Sequence, residues 1–286
     1  MSYPSVRPPV VAGLFYPKSV PEITNTLDHF FQSIEPAMHP DCPLLGAIVP
    51  HAGWRYSGQV ASYSYSVVKS AHPRRVIILS PSHQIPFRGA TIYPGQAYRT
   101  PLGDVPIDHD FVDTLRMPDT VRKSITGHEQ EHAIEVQLPF LQYVLGEAVS
   151  IVPMVIGDQD MYTVESVAEM LASGWGEGQV VVASSDLSHY HNYRKAVAMD
   201  GRFQDLLEQG DFSLFLDALE QHEIEACGMG PVLILMTISR LMESSGFRIL
   251  HYANSGDITG DRERVVGYLS AAVYSREQWT PQARTH

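Results

Sequence analysis

Four side chains able to bind a metal or move a proton follow short apolar runs, just beyond the end of each run. These are His51 after the run 44–49, His83 after 76–79, and Asp186 and His189 after 179–184. Continuous apolar runs of this length predict strands buried in a parallel sheet. The loops at the carboxyl ends of parallel strands meet at one edge of the sheet. One such histidine alone is more often structural, but three imidazoles with a carboxylate suit a divalent metal, so we predict a metal or catalytic site at this edge.

Asp186 and His189 lie three positions apart and could act as an acid/base pair beside that metal. The imidazole of His189 could carry a proton near neutral pH, and Asp186 could orient the ring. The same residues would also suit an aspartate that caps a helix and a histidine at the helix surface. The sequence leaves both interpretations open.

Cys227 stands in the segment EACGMGP, directly before an apolar helix that is predicted to begin near Pro231. The positive end of a helix dipole lowers the pKa of a thiol and favours the thiolate, which binds metal or attacks substrate. Gly228 and Gly230 would allow a close approach of the backbone. The alternative is a small buried apolar residue. Cys42 precedes a strand, at the other end of the sheet, and receives no role.

The segment HEQEH, residues 128–132, fits the H-E-x-x-H pattern of zinc proteases. That pattern needs one helix through both histidines. Gly127 precedes the segment, the apolar periodicity starts only at Ile134, and Glu135 stands where the longer metzincin pattern has glycine. A zinc hydrolase is therefore a weaker hypothesis. Glu131 and His132 either line the same pocket or begin an exposed helix.

Other chemistries have less support in the sequence. Ser184 or Ser185 with Asp186 and His189 could suggest a serine hydrolase, but no G-x-S-x-G segment is present and the residues are too close in sequence for the usual triad. No phosphate-binding loop pattern occurs either. Three aromatic residues near the candidates could form a wall for a planar ligand or belong to the core. They are Trp54, Tyr56 and Tyr190.

A set of segments in a fixed order resembles the Memo family, also described as AmmeMemoRadiSam system protein B. The segments are VAGLFYP, PHAGWRYSG, SPSH, EHAIEVQLPFLQ, SSDLSHY and ACGMGP, which together span most of the chain. The family is similar in fold to the LigB-type extradiol dioxygenases, which hold non-haem Fe(II) with two histidines and one glutamate. The resemblance therefore implies a LigB-like fold and a metal site.

By this resemblance the metal ligands are His51, His83 and Cys227, and Asp186 and His189 line the pocket. The resemblance to iron dioxygenases implies Fe(II) as the first choice. A thiolate in place of the dioxygenase carboxylate moves the preference towards soft metals, so Cu or Zn come after it. We expect a redox-active metal protein acting on an unidentified small molecule. The alternative is a metal carrier or adaptor that uses the same pocket without catalysis, with radical SAM and AMMECR-type proteins as the partners that the resemblance implies.

Helical periodicity alternates with the apolar runs, which predicts a three-layer α/β/α fold with a mostly parallel central sheet. The helices are predicted over 19–34, 57–70, 133–145, 161–174 and 230–246. The strands are predicted over 44–49, 76–79, 149–156, 179–184, 247–253 and 264–274. We expect one domain over residues 1–286, with 275–286 as a loosely held tail.

The composition excludes several classes of function. With 20 Lys and Arg against 32 Asp and Glu, the net charge of −12 disfavours a nucleic-acid partner. No apolar run reaches the roughly 18 residues that a membrane span needs, and the start of the chain does not resemble a signal peptide. Two cysteines cannot build a disulfide framework. We therefore expect a cytoplasmic protein.

Overall fold

A nine-stranded sheet runs through the residues that the computed structural model describes, 4–34 and 42–276. The strands of the chain are β1 (Val6–Arg7), β2 (Leu44–Val49), β3 (Arg75–Pro81), β4 (Ala90–Ile92), β5 (Ala97–Thr100), β6 (Gly103–Pro106), β7 (Val121–Lys123), β8 (Ser150–Ile156), β9 (Gln179–Ser184), β10 (His189–His191), β11 (Ser244–Asn254) and β12 (Val265–Ser275). The large sheet has the order β10-β12-β2-β9-β3-β8-β4-β7, and β11 pairs with β12. Strands β1, β5 and β6 form a separate small sheet.

The centre of the large sheet is parallel and its outer pairs are mixed. Strands β2, β9, β3 and β8 pair in parallel. Strand β12 joins β2 in the antiparallel sense, and β4 does the same with β8. The carboxyl ends of the four central strands therefore lie along one edge.

Helices cover both faces of this sheet. They are α1 (Val20–Gln32), α2 (Trp54–Ala71), α3 (His109–Thr114), α4 (Leu138–Leu145), α5 (Met161–Ser173), α6 (Tyr193–Gln209), α7 (Phe212–Glu220), α8 (Met229–Leu241) and α9 (Ser255–Thr259). Side chains of β3 alternate between two apolar cores: Val76 and Ile78 pack with α1, α2 and α4, whereas Ile77 and Leu79 pack with α5 to α8. The predicted α/β class and its three layers are confirmed.

Two predicted helices have other bounds in the structure. The helix predicted over 133–145 is a short 3-10 turn (Glu135–Gln137) followed by α4, and Pro139 lies in the first turn of α4. The helix predicted over 230–246 is α8, which stops at Leu241, and Gly246 lies inside β11 with a φ of 93°.

Two further expectations concern the chain ends and membranes. Residues 277–286 of the predicted tail lie outside the described residues, whereas Ser275 still belongs to β12. Among the described residues, every helix is too short or too polar to cross a bilayer.

Candidate metal site

The candidate site lies at the edge where the central parallel strands end. His51 follows β2, His83 follows β3, and Asp186 follows β9 within two positions. Cys227 reaches the same edge from the loop that precedes α8. The sequence predicted His51, His83 and Asp186 at this edge, and the structure groups them and Cys227 around His51.

His51 stands at the centre of the cluster, with only 2% of its surface exposed. Its Nε2 atom lies 3.1 Å from Sγ of Cys227. The centroid of its ring is 5.0 Å from that of His83 and 5.4 Å from that of His132. His51 therefore borders both a group of imidazoles and the thiol.

The hydroxyl of Ser184 fixes the tautomer of His51. This hydroxyl donates to the carbonyl of Ala133 at 2.8 Å and accepts from Nε2 of Gln137 at 2.9 Å. Its single proton is thereby used, so the 3.0 Å contact with Nδ1 of His51 requires that the ring nitrogen donate. The lone pair of His51 is then on Nε2, the atom that faces Cys227.

His83 is held by the buried carboxylate of Glu131. Oε2 accepts from the backbone N–H of His83 at 2.8 Å, and Oε1 accepts from Nδ1 of its ring at 2.9 Å. The carboxylate is only 1% exposed, whereas the side chain of His83 is 26% exposed and lies at the rim. The Nε2 atom of His83 is left for a ligand.

His132 is a third imidazole of the cluster, and the sequence left its role open. Its ring centroid is 4.6 Å from that of His83, and its Nδ1 is 3.3 Å from Oε1 of Glu131. His51, His83 and His132 form one group whose ligand atoms lie within 4.8 Å of one another. Two signals in the sequence pointed to Glu131 and His132, the HEQEH pattern and the EHAIEVQLPFLQ segment.

A second group of donors shares His51 with the first. It consists of His51, Asp186 and Cys227, again with ligand atoms within 4.8 Å of one another. Oδ1 of Asp186 accepts from the backbone N–H groups of His51 at 2.8 Å and Ala52 at 3.3 Å. Asp186 thus fixes the loop that carries His51.

The ring of His189 is oriented by a backbone carbonyl. Its Nδ1 donates to the carbonyl of Leu187 at 2.7 Å, and its backbone N–H bonds to Glu225. Asp186 therefore makes its hydrogen bonds to the His51 loop and leaves the orientation of His189 to Leu187. The acid/base role of Asp186 and His189 stays a prediction.

Glycines let the Cys227 loop approach the end of β9. A Cβ on Gly228 would lie 2.3 Å from the carbonyl oxygen of Ser184, and one on Gly230 would lie 2.9 Å from Cγ of Gln159. The hydroxyl of Ser185 accepts from the N–H of Gly228 at 3.0 Å, and Nε2 of Gln159 donates to the carbonyl of Cys227 at 3.1 Å. Glycine at positions 228 and 230 therefore has a steric reason.

The expected low pKa of the Cys227 thiol is wrong for the metal-free protein. Burial raises the pKa of this thiol well above its ordinary value, and the negative charge of Asp186 adds to the rise. A cysteine just before a helix gains too little from the dipole to offset removal from water. A cation at the site would be needed to stabilise the thiolate.

The buried imidazoles are neutral at physiological pH. Burial lowers the pKa of His51 to about 3, with a further contribution from the neighbouring His83. Burial likewise lowers the pKa of His132 to about 4. Burial alone would raise the pKa of Glu131, but the hydrogen bond from His83 lowers it to about 2. Neutral imidazoles beside an ionised carboxylate are the forms that metal binding requires.

The zinc-protease interpretation of residues 128–132 is not supported. These residues form turns and irregular structure between β7 and the 3-10 turn at Glu135–Gln137, so no helix aligns the two histidines. His128 is buried, and its ring bonds to the hydroxyl of Tyr98 at 2.6 Å and to Thr91 at 3.2 Å. His128 is a structural residue of the core.

The three aromatic residues near the candidates differ in their environment. Trp54 is buried and packs on Phe140, with ring centroids 4.6 Å apart. Tyr56 and Tyr190 are exposed, and Tyr190 has a φ of 60°. Trp54 therefore belongs to the core, and only the two tyrosines could contact a ligand.

The donor set fits a transition metal. Three imidazoles, a thiol and a carboxylate form two overlapping groups around His51, and the orientation of His51 and His83 leaves their Nε2 atoms available. Imidazole and thiolate ligands together suit Fe, Cu and Zn better than Mg or Ca. His51, His83 and His132 by themselves could hold such an ion.

Comparison with known proteins identifies the family of the chain. The family model described as Memo-like protein matches residues 7–272. The MEMO1 family protein of Methanopyrus kandleri is 36% identical over 282 residues, which cover 94% of this chain and 99% of the relative. The MEMO1 family protein of Methanobrevibacter smithii is 37% identical over 279 residues, which cover 93% and 98% respectively. The crystal structure of an uncharacterized Escherichia coli protein aligns with a TM-score of 0.49 at 15% identity, over 81% of this chain and 100% of that chain. On the family match and these relatives, the chain belongs to the Memo family.

Proposed function

We propose that this protein binds one transition-metal ion, Fe(II) in preference to Cu or Zn, and uses it in redox chemistry on a small molecule. The proposed ligands are His51, His83 and Cys227. The observation that carries the proposal is the 3.1 Å contact between Nε2 of His51 and Sγ of Cys227, because these atoms belong to distant parts of the chain. His132 is a further donor within reach of His51 and His83.

A bound redox-active metal would supply electron transfer and would lower the pKa of the Cys227 thiol. The protein would supply the proton chemistry around it. His189 has Nδ1 committed to a carbonyl, so its Nε2 is the atom that could accept or return a proton. Asp186, 4% exposed, holds the His51 loop in place while that transfer occurs.

The thiolate argues against ring cleavage of the LigB type as the reaction. A cysteine beside an oxygen-activating iron is exposed to oxidation to sulfenic and sulfinic acids. A one-electron or oxygen-reducing reaction with a different substrate fits the same ligands.

A second candidate function is transport or storage of the metal, and the number of donors favours it. Catalytic sites keep one coordination position open for substrate, whereas structural and storage sites are closed. His51 shares one group of donors with His83 and His132 and another with Asp186 and Cys227, so more donors surround it than a three-ligand catalytic site uses. The protein would then deliver its metal to a partner, for which radical SAM and AMMECR-type proteins are the proposed class.

Oxygen uptake by the iron-loaded protein separates the two functions. Protein prepared anaerobically without chelators is loaded with one equivalent of Fe(II) and mixed with air-saturated buffer and catechol-like compounds. Catalytic oxygen consumption, above that of the same concentration of free Fe(II), supports the enzyme. Retention of the metal without turnover supports the carrier. Failure to retain Fe, Cu or Zn at equimolar concentration contradicts both.

A further inference from the structure

We propose that Glu131 is a positioning residue that holds His83 with Nε2 directed at the metal, an inference that rests on the proposed metal site. The carboxylate accepts hydrogen bonds from both the backbone and the ring of the same histidine. Its Oε2 accepts from the His83 backbone N–H at 2.8 Å, and its Oε1 accepts from Nδ1 of the ring at 2.9 Å. A second backbone N–H, that of Ala133, donates to Oε1 at 2.9 Å.

The two bonds define which nitrogen of His83 faces the metal. Both carboxylate oxygens of Glu131 accept backbone N–H groups, so the contact with Nδ1 requires that the ring nitrogen donate. The lone pair is then on Nε2, on the opposite side of the ring. A carboxylate behind a ligating imidazole also increases the basicity of the ligand.

His83 depends on this contact more than His51 does on any one neighbour. The side chain of His83 is 26% exposed, and in the part of the chain that the structure describes its ring has no other hydrogen-bond partner than Glu131. His51 is buried by its surroundings and held by a neutral hydroxyl. Without the carboxylate, the ring of His83 would be free to rotate into solvent.

The backbone of Glu131 is itself held in place by Arg7, a residue near the start of the chain. Its backbone carbonyl accepts from Nη2 of Arg7 at 2.6 Å, and Nη1 of Arg7 bonds to the buried Glu135, also at 2.6 Å. Arg7 therefore binds the backbone of Glu131 and leaves its carboxylate to the histidine. The carboxylate is only 1% exposed, and its contacts are with His83, His132 and the backbone. These contacts are what compensate for its burial.

The test is the affinity for Zn²⁺, measured by competition with a chromophoric chelator, of the wild type, Glu131→Gln, His83→Ala and the double variant. The glutamine would keep the size of the side chain but place an amide where a carboxylate oxygen now accepts an N–H. We expect Glu131→Gln to bind Zn²⁺ about 10- to 100-fold more weakly, the range found for outer-shell partners of metal ligands. In the His83→Ala background the same change should alter affinity less than about twofold, because the residue it positions is gone.

Asp108→Asn is the matched control, since Asp108 is a partly buried carboxylate that bonds Arg75 at 2.7 Å near the opposite ends of the strands. It should leave Zn²⁺ affinity unchanged. If Glu131→Gln does not fold, Glu131→Asp, which withdraws the carboxylate by one methylene, takes its place in the same cycle.

The outcomes are distinct. Equal Zn²⁺ affinity of the wild type and the Glu131 variant overturns the positioning role and leaves the metal site intact. An equal loss with and without His83 also overturns it, because Glu131 would then act through His132 or through the fold. If the wild type itself does not bind Zn²⁺, the proposed metal site fails, and the role of Glu131 fails with it.

Discussion

Nε2 of His51 and Sγ of Cys227 lie 3.1 Å apart, although the two residues are 176 positions apart in the chain. Strand β2 delivers the histidine, and the loop before α8 delivers the cysteine. The two candidate donor groups of the site meet at this contact, because both contain His51. The neighbours that hold the two side chains in place should therefore control both metal affinity and local stability.

Ser184→Ala should weaken metal binding by about tenfold, since the hydroxyl is the partner that keeps the proton of His51 on Nδ1. The change also removes two hydrogen bonds of the hydroxyl, one with the carbonyl of Ala133 and one with Nε2 of Gln137, which keeps its bond to the carbonyl of Pro50. The free energy of unfolding should therefore fall by about 1–3 kcal/mol. Zn²⁺ competition and urea unfolding measure the two effects. Ser64→Ala, which removes another buried hydroxyl, should cost stability and spare metal affinity. Equal metal affinity of Ser184→Ala and wild type would show that metal binding does not depend on the Ser184 hydroxyl keeping the proton of His51 on Nδ1.

Gly228→Ala should destabilise the protein by about 1–3 kcal/mol and reduce metal content, because the new Cβ would meet the carbonyl oxygen of Ser184 at 2.3 Å. The loop that carries Cys227 would have to move away from β9. Gly201→Ala in α6 is the control: nothing lies within 4 Å of its Cβ position, and alanine favours helix. Urea midpoints measure the loss of stability, and metal analysis measures the loss of metal content. A Gly228→Ala protein as stable as wild type would mean that the close approach is unimportant.

Arg7→Met should lower the free energy of unfolding by about 3–5 kcal/mol, because it leaves the buried carboxylate of Glu135 without its cation. Arg7 is 2% exposed and also donates to the carbonyls of His128 and Glu131. Arg99→Met breaks an exposed pair with Asp104 and should cost less than about 1 kcal/mol. Chemical denaturation of the three proteins compares the two pairs. Similar losses for both would show that burial of the Arg7 pair has no energetic consequence.

Acid should destabilise the metal-free protein in part through His128. Burial lowers the pKa of His128 to about 3 in the folded protein, against about 6.5 in the unfolded chain. Between these values the unfolded state binds a proton that the folded state does not, so stability is lost as the pH falls from about 6.5 towards 3. Below about pH 6, the free energy of unfolding of His128→Gln should fall by about 1 kcal/mol less per pH unit than that of the wild type. Urea unfolding with chelator present measures both. Parallel stability curves for the two proteins would contradict this origin.

The sequence predicted the central strands and the residues that follow them because fully buried parallel strands are continuous apolar runs. Strands β2 and β9 begin and end where the apolar runs do. The same rule located His51 and His83, since the residues after such strands share one edge.

The contribution of Glu131 and His132 could not be predicted in this way. They lie in irregular backbone that Arg7 holds from 124 positions away, and such long-range contacts leave no local periodicity. Helix α6 was not predicted either, and one of its buried positions is the charged residue Asp200, which interrupts the apolar pattern. The pKa of Cys227 was misjudged because burial in the folded protein outweighs the helix dipole.

Metal analysis of protein purified anaerobically without chelators tests the central claim most directly. We expect close to one equivalent of transition metal in the wild type and in Cys42→Ser, which changes the other cysteine of the chain. His51→Ala and Cys227→Ser should each lose most of that metal while remaining folded by circular dichroism. Stoichiometric metal in both of these variants would contradict the site described for this protein.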